Sequence, residues 1–136
     1  MLDFLKNKLG IKDKSKDNGS ISLEEYNTMF VSKKIGKNIQ VFQDLMGSNI
    51  DLTIRRFKLA CQDVDAAIVF IDSITGNDII NTHIIKPLTF EFADLDVNAS
   101  KRSTFDYVKD CLIRTIKVEE AETFDVAVLG ITSGDT

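Results

Sequence analysis

The sequence predicts an α/β fold, a small layered sheet of about three to four strands with helices packed on it. The strongest indication is residues 66–71, a continuous apolar run of the kind that forms a strand buried on both faces. Along the chain, segments with apolar residues at three- and four-residue spacing alternate with short strand-like segments. At 136 residues the chain is long enough to bury one core without disulfides or metals, so one domain is expected.

Composition and charge exclude several classes of function. The 21 acidic residues outnumber the 17 basic ones, and the basic residues are scattered, which argues against binding to nucleic acid. The longest apolar run has six residues, far short of the roughly 20 that a membrane-spanning helix needs. The two cysteines have no C-x-x-C spacing and no secretory signal precedes them, so both thiols are expected to be reduced in the cytosol.

The first 20 residues are predicted to lie outside the fold, as an amphipathic leader and a polar linker. The leader has apolar residues at helical spacing, Leu2, Phe4, Leu5 and Leu9, and every residue of the linker over 12–20 is polar or glycine. The leader fits either a docking anchor for a membrane surface or partner, or a frayed end, and its short length favours the frayed end. Residues 21–136 are expected to form the α/β subdomain.

The first half of this subdomain is predicted to be a helix followed by a hairpin. A helix is expected over residues 32–46, with Ser32 as its N-cap and Gly47 as a left-handed residue after its end. Residues 51–59 alternate like a strand, and a polar turn then leads to the apolar run. The two strands together indicate a hairpin.

The second half is predicted to cover the sheet with helices. A helix is expected to begin at Gly76-Asn77 and run to the only proline, Pro87. A further helix is expected over residues 103–112, a short strand over 113–118, and a last helix over 119–133 whose acidic first turn suits the positive helix N-terminus. A turn is expected over residues 133–136, as though a further strand followed.

The sequence shows no strong motif for a metal or cofactor. Asp94, Asp96 and Asn98 imitate the start of a calcium loop, but Ala99 stands where that loop requires glycine. His83 is the only histidine, and for it a structural role is favoured over that of a general base or ligand contact. Both thiols, those of Cys61 and Cys111, are read as small core residues rather than nucleophiles. We expect no cofactor and no metal.

Two groups of polar residues are candidates for ligand binding. Arg55 and Arg56 are adjacent in a predicted strand and so point to opposite faces, and one guanidinium is expected to meet the covered side of the sheet. A structural ion pair with Asp72 and the recognition of an anionic ligand both explain this pair. The loops after Leu59, Ile71 and Val118 are expected to border a crevice at the strand ends, with Asp72, Ser73 and Asn77 as polar contacts.

The order of three segments resembles a known family. A helix ending Asp-Leu-Met-Gly-Ser-Asn precedes Asp51-Leu52-Thr53-Ile54-Arg55-Arg56-Phe57, then Ala66-Ala67-Ile68-Val69-Phe70-Ile71-Asp72, then Ile80-Asn81-Thr82-His83-Ile84-Ile85-Lys86-Pro87-Leu88. This order is similar to the N-terminal hydrophilic domain of the A subunits of Ger-type (GerA family) spore germinant receptors. The similarity covers residues 35–136, with Phe70 where the family usually has tyrosine and Ser73-Ile74-Thr75-Gly76 in place of its usual Gly-Leu-Val-Asp-like turn.

The resemblance implies the first subdomain of a larger two-part N-terminal domain, followed by a membrane-spanning region beyond this chain. It implies a sensing or coupling role in nutrient-triggered spore germination and ion release, with the B and C subunits, and other A subunits, as partners and a small nutrient as a ligand. It places the full-length protein in the spore inner membrane, with this domain on the cytosolic side, in the spore core. The alternatives are an unrelated α/β docking domain and, less favoured, a small enzyme using His83 or Cys61. We expect no enzymatic activity.

Overall fold

The computed structural model describes residues 23–47, 51–60, 63–90, 103–113 and 117–136. The predicted leader and linker lie outside the described residues. The elements are α1 (Leu23–Asn27), α2 (Ile35–Met46), β1 (Leu52–Lys58), β2 (Asp65–Ile71), α3 (Asn77–Ile80), α4 (Lys86–Thr89), α5 (Thr104–Tyr107) and α6 (Phe124–Ser133), with a first π turn (Asn81–Ile85) joining α3 to α4 and a second (Val108–Leu112) extending α5. The mixed α/β class predicted from the sequence is confirmed.

The sheet of the described residues is an antiparallel hairpin of β1 and β2, with Leu52 opposite Ile71 and Lys58 opposite Asp65. An ion pair between Lys58 and Asp63 joins the end of β1 to the hairpin loop. The predicted hairpin is confirmed, although these two strands are fewer than the three to four expected. Of the strand predicted over 113–118, residues 114–116 lie outside the described residues, and Ile113, Lys117 and Val118 are not in a strand.

One face of the hairpin packs against α2 and α6. Its buried cluster consists of Tyr26, Met46, Ile71, Phe124, Val128 and Ile131, with Leu52 and Val69 packed against it. The ring of Phe42, packed against this cluster, meets the ring of Phe124 edge to face, with the two centroids 5.2 Å apart. This cluster attaches both α1 and α6 to the sheet.

The other face of the hairpin packs against the helical segments that follow it. Ile68 and Phe70 form a buried cluster with Ile80 and Ile85. A neighbouring cluster joins three leucines, Leu59, Leu88 and Leu112. Because both faces of β2 are covered, the apolar run is buried on two sides, as its sequence predicted.

The start of α2 differs from the sequence prediction, in which Ser32 is the N-cap. The N-cap is Lys34, and the Ser32 hydroxyl accepts a hydrogen bond from the Lys34 backbone N–H at 3.1 Å. The Asn38 side chain accepts from the Ser32 N–H at 2.8 Å and donates to the Ser32 carbonyl at 2.7 Å. This pair of bonds fixes the chain before α2 in an extended form, so the helix begins two residues later than a Ser32 cap would allow.

The helical segment that carries Pro87 continues to Thr89, past the point where the sequence predicts its end. Within the first π turn the Lys86 N–H donates to the Asn81 carbonyl, five residues back. A proline in a regular helix clashes with the carbonyl four residues before it, and the wider π turn relieves that clash. Pro87 is therefore buried inside the helical segment rather than ending it.

The last helix begins at Phe124 and not at the predicted residue 119. Thr123 pairs with Phe30 in an isolated antiparallel bridge, and the Phe124 N–H donates to the Met29 carbonyl at 3.0 Å. This tertiary pairing holds residues before Phe124 in an extended form and overrides their acidic, helix-favouring sequence. At the other end, Gly134 has φ 100° and the Asp135 N–H donates to the Gly130 carbonyl, which confirms the predicted turn.

Gly47 ends α2 for a reason other than the predicted one. Its φ is −68°, in the right-handed region, so the predicted left-handed conformation is wrong. A Cβ at this position would lie 2.5 Å from the Gln43 carbonyl oxygen, which is backbone and cannot move aside cheaply. Glycine is required at position 47 because the Gln43 carbonyl oxygen leaves no room for a Cβ.

A matched pair of glycine substitutions in α2 tests this requirement. Gly47→Ala is expected to lower the free energy of unfolding by about 1 kcal/mol or more because of the clash. Gly36→Ala, where a Cβ meets nothing within 4 Å, is expected to raise it by up to about 1 kcal/mol, since alanine favours the helix. Urea midpoints measure both changes, and shifts of the same sign would contradict the steric explanation.

Candidate functional site

The antiparallel hairpin separates the loops that were expected to form one crevice. The loop after Leu59 and the turn after Ile71 lie at opposite ends of the hairpin. The segment after Val118 is joined to the second π turn, where the Lys109 ammonium donates to Glu120 at 2.6 Å. The predicted crevice at the strand ends is therefore wrong as one site, because only a parallel sheet brings successive strand ends to one edge.

Three of the five predicted ligand contacts do come together, in the segment that follows β2. We call residues 72–77 the exit turn. The Asn77 side-chain amide donates to the Asp72 carboxylate at 2.6 Å, and Ser73 lies between them in the chain. All three side chains are exposed. The Asp72 N–H donates to the Asp51 carbonyl at 3.0 Å, which fixes the start of the turn against the beginning of β1.

The exit turn is also bound to the end of α6. The Thr75 hydroxyl donates to the Gly134 carbonyl at 3.3 Å. A Cβ on Gly134 would lie 3.9 Å from the Ile74 carbonyl oxygen, so the two backbones run close together. The exit turn is therefore in direct contact with the C-terminal end of α6.

Arg55 and Arg56 lie away from the exit turn. They face Ile68 and Ala67 across the hairpin, on opposite faces of the sheet as predicted, and both are exposed. Arg55 is four residues along β1 from the residue beside Asp72, a separation of about 13 Å. The predicted ion pair with Asp72 and the predicted covered guanidinium are both wrong, because the helices cover β2 and leave this part of β1 open.

A groove that the sequence did not predict lies between the end of α2 and β1. Its volume is about 550 Å³, and it is lined by Gln43, Gly47, Leu52 and Ile54. Its lining is more polar than apolar and is largely open to solvent, and the exposed Gln43 is one of the lining residues. A helix-ending glycine followed, four residues later, by a strand with alternating apolar residues was the one sequence signal for this space.

Of the two residues proposed for the less favoured enzyme, only His83 lies in the described part of the chain. His83 is exposed on the first π turn. Cys111 is an exposed free thiol, so its predicted place in the core is wrong, and Cys61 lies outside the described residues. In the described ranges no group of three or more histidine, cysteine or acidic residues could hold a metal ion. Within those same ranges no helix has the length and apolar character to cross a membrane.

A buried polar pair lies where α1 meets α6. The Tyr26 hydroxyl and one Asp125 carboxylate oxygen are both buried, and neither has a hydrogen-bond partner. Burial raises the pKa of Tyr26 from 10.0 to about 12, and the nearby Asp125 carboxylate adds to this rise. The phenol is therefore held neutral in a place where its ionised form is strongly disfavoured.

The raised pKa of Tyr26 makes the stability of the fold depend on alkaline pH. Between pH 10 and about 12 the unfolded chain loses the phenol proton while the folded chain keeps it, so the free energy of unfolding falls as pH rises. Tyr26→Phe is expected to flatten this decline. At neutral pH it should leave stability unchanged or raise it by up to about 1 kcal/mol, since it removes an unpartnered buried hydroxyl.

Spectroscopy can isolate this phenol. The chain has two tyrosines, so Tyr107→Phe leaves Tyr26 as the only one. Tyrosinate absorbance of that variant is expected to rise near pH 12, before or together with unfolding. Ionisation near pH 10 in a chain that remains folded would contradict the buried environment.

Comparison with known proteins identifies the family. The family model described as Bacillus/Clostridium GerA spore germination protein matches residues 40–136, which include most of α2, the hairpin and every later element. No curated protein and no solved structure matches the chain. The matched region is well over half of the sequence, so the resemblance drawn from the order of the motifs is confirmed. The chain belongs to the GerA family of spore germination proteins.

Proposed function

We propose that this chain is the N-terminal cytosolic domain of the A subunit of a spore germinant receptor, and that it couples nutrient recognition to ion release. Its family assigns it a role in spore germination. The observation that favours coupling is the hydrogen bond between Thr75 and Gly134, which joins the exit turn to α6. The hydrogen bond from Asn77 to the Asp72 carboxylate also helps to organise the exit turn.

A direct sensing role is the second candidate, and the groove beside β1 supports it. Its volume of about 550 Å³ lies within the range of small-molecule pockets, roughly 300–1,000 Å³. Its lining exposes more polar than apolar surface, which suits a small polar nutrient better than a largely apolar one.

The wider receptor context belongs to the same proposal. The B and C subunits, and other A subunits, are the partners, and the receptor is held in the spore inner membrane through a region beyond this chain. We propose that the domain catalyses no reaction of its own. His83→Ala is then expected to leave germination unchanged.

A substitution in the exit turn tests coupling in intact spores. Thr75→Val in the full-length receptor keeps the side-chain shape but removes the bond to Gly134, which is worth about 0.5–1.5 kcal/mol. Nutrient-triggered ion release is expected to slow several-fold. Thr82→Val, the same change at an exposed threonine of the first π turn, is the control and is expected to have no effect. Equal responses of the two variants, at equal receptor levels, would contradict coupling through this bond.

Titration of the isolated chain distinguishes sensing from coupling. Amino acids and sugars are added at millimolar concentration while backbone amide shifts are recorded by NMR. Coupling alone predicts no shifts at Gln43, Gly47, Leu52 or Ile54. Saturable shifts confined to these residues would instead assign nutrient binding to the groove.

A further inference from the structure

The segment that joins α1 to α2 exposes apolar and basic side chains side by side. Phe30 is 70% exposed and Val31 is 39% exposed. Three lysines follow them and are also exposed, Lys33, Lys34 and Lys37. We call residues 30–37 the basic patch. Exposed apolar side chains bordered by charged ones are typical of an interaction surface.

Backbone and side-chain hydrogen bonds hold the basic patch in place. Phe30 forms an antiparallel bridge with Thr123, at the start of α6. The Asn38 side chain bonds to both the N–H and the carbonyl of Ser32. Lys33 is three residues beyond Phe30, so their Cα atoms are at most about 11 Å apart. The fold therefore presents the aromatic ring and the first ammonium group together.

The charge of the basic patch differs from that of the rest of the chain. Residues 26–43 have three lysines and no acidic residue, in a sequence where 21 acidic residues outnumber 17 basic ones. Lys34 and Lys37 lie at the beginning of α2, where the helix dipole disfavours cations and no acidic residue in the first turn compensates. No ion pair with a described residue neutralises any of the three lysines. Contacts within the described fold therefore do not account for them, which favours an anionic partner outside it.

We propose that the basic patch binds the surface of an anionic lipid bilayer, with the Phe30 ring in the interfacial region and the lysines among the headgroups. A soluble polyanion pairs with lysines but leaves the ring in water, whereas a bilayer accommodates both. A stable protein interface takes roughly 20–30 residues from each side, far more than this patch offers. The inference goes beyond the proposed coupling role and requires no other subunit.

The absence of tryptophan from the sequence allows the ring position itself to report lipid contact. Phe30→Trp gives the whole chain a single fluorophore within the basic patch. Vesicles of phosphatidylglycerol and phosphatidylcholine are expected to shift its emission to the blue and to protect it from a soluble quencher, and added salt is expected to weaken both effects. Vesicles of phosphatidylcholine alone are expected to cause neither. Phe90→Trp, at a phenylalanine that is 72% exposed directly after α4, is the control and is expected to remain solvated.

Charge variants of the Phe30→Trp chain test the role of the lysines. Replacing all three by glutamine is expected to lower the vesicle affinity about a hundredfold, because each basic residue near an anionic leaflet contributes about fivefold. It should not lower the urea midpoint, since these lysines oppose the helix dipole. The control removes the same charge from three other exposed positions and is expected to have a much smaller effect. Its changes are Arg55→Gln, Arg56→Gln and Lys86→Gln.

An acidic neighbour provides a test of opposite sign. The Glu122 carbonyl accepts a hydrogen bond from the Val31 N–H at 2.8 Å, and the Glu122 side chain is exposed. Because its carboxylate is repelled by an anionic leaflet, Glu122→Gln is expected to strengthen vesicle binding several-fold.

Other outcomes would overturn the proposal. Solvated emission from the Phe30→Trp chain on anionic vesicles that do bind the protein would assign lipid contact to another part of the chain, such as the leader. Equal losses of affinity from the two charge triples would reduce the attraction to net charge and exclude a local site. A blue shift that appears without lipid as the protein concentration rises would assign the ring to a second copy.

Discussion

The architecture depends on a strand that must be covered on both faces. Every residue of β2 after Asp65 is apolar, and Ile68, Phe70 and Ile71 are buried. A hairpin with such a strand is not stable alone in water, because it would expose apolar side chains above and below. The elements before the hairpin, together with α6, cover one face, and those that directly follow it cover the other. The layered arrangement is the consequence.

β1, unlike β2, has charged side chains that remain exposed to solvent, and this suggests a structural role for the two arginines. Their guanidinium groups and the ammonium of Lys58 are exposed along a strand whose outer edge pairs with no other described strand. Charged side chains on an open edge discourage pairing with other chains. From the sequence, Arg55 and Arg56 were predicted to form an ion pair or to bind an anion. The fold adds a third explanation that requires no partner: they protect the exposed edge of β1 from pairing with other chains.

Most of the helices and strands that depend on residues close together in the chain were predicted from the sequence. The end of α2, both strands and the start of α5 near Ser103 follow from periodicity and turn chemistry over a few residues. The predictions failed where contacts between distant segments of the chain determine the structure. The start of α6 depends on a bridge between Phe30 and Thr123, and the expected crevice failed because strand direction is set by pairing and not by composition. Of the candidate site, only the grouping of Asp72, Ser73 and Asn77 was predictable, since these residues lie within six positions of one another in the chain.

The contact between α1 and α6 includes buried polar groups that have no partner. The hairpin and α2 meet α6 through apolar packing, and the exit turn meets it through a hydrogen bond. α1 contributes the buried ring of Tyr26 but also leaves its hydroxyl, and an oxygen of Asp125, without partners. Unpartnered buried polar groups offset part of the stabilisation that ring burial provides. Local opening at α1, outside the family match, should therefore cost less than opening of the hairpin and would leave the sheet intact.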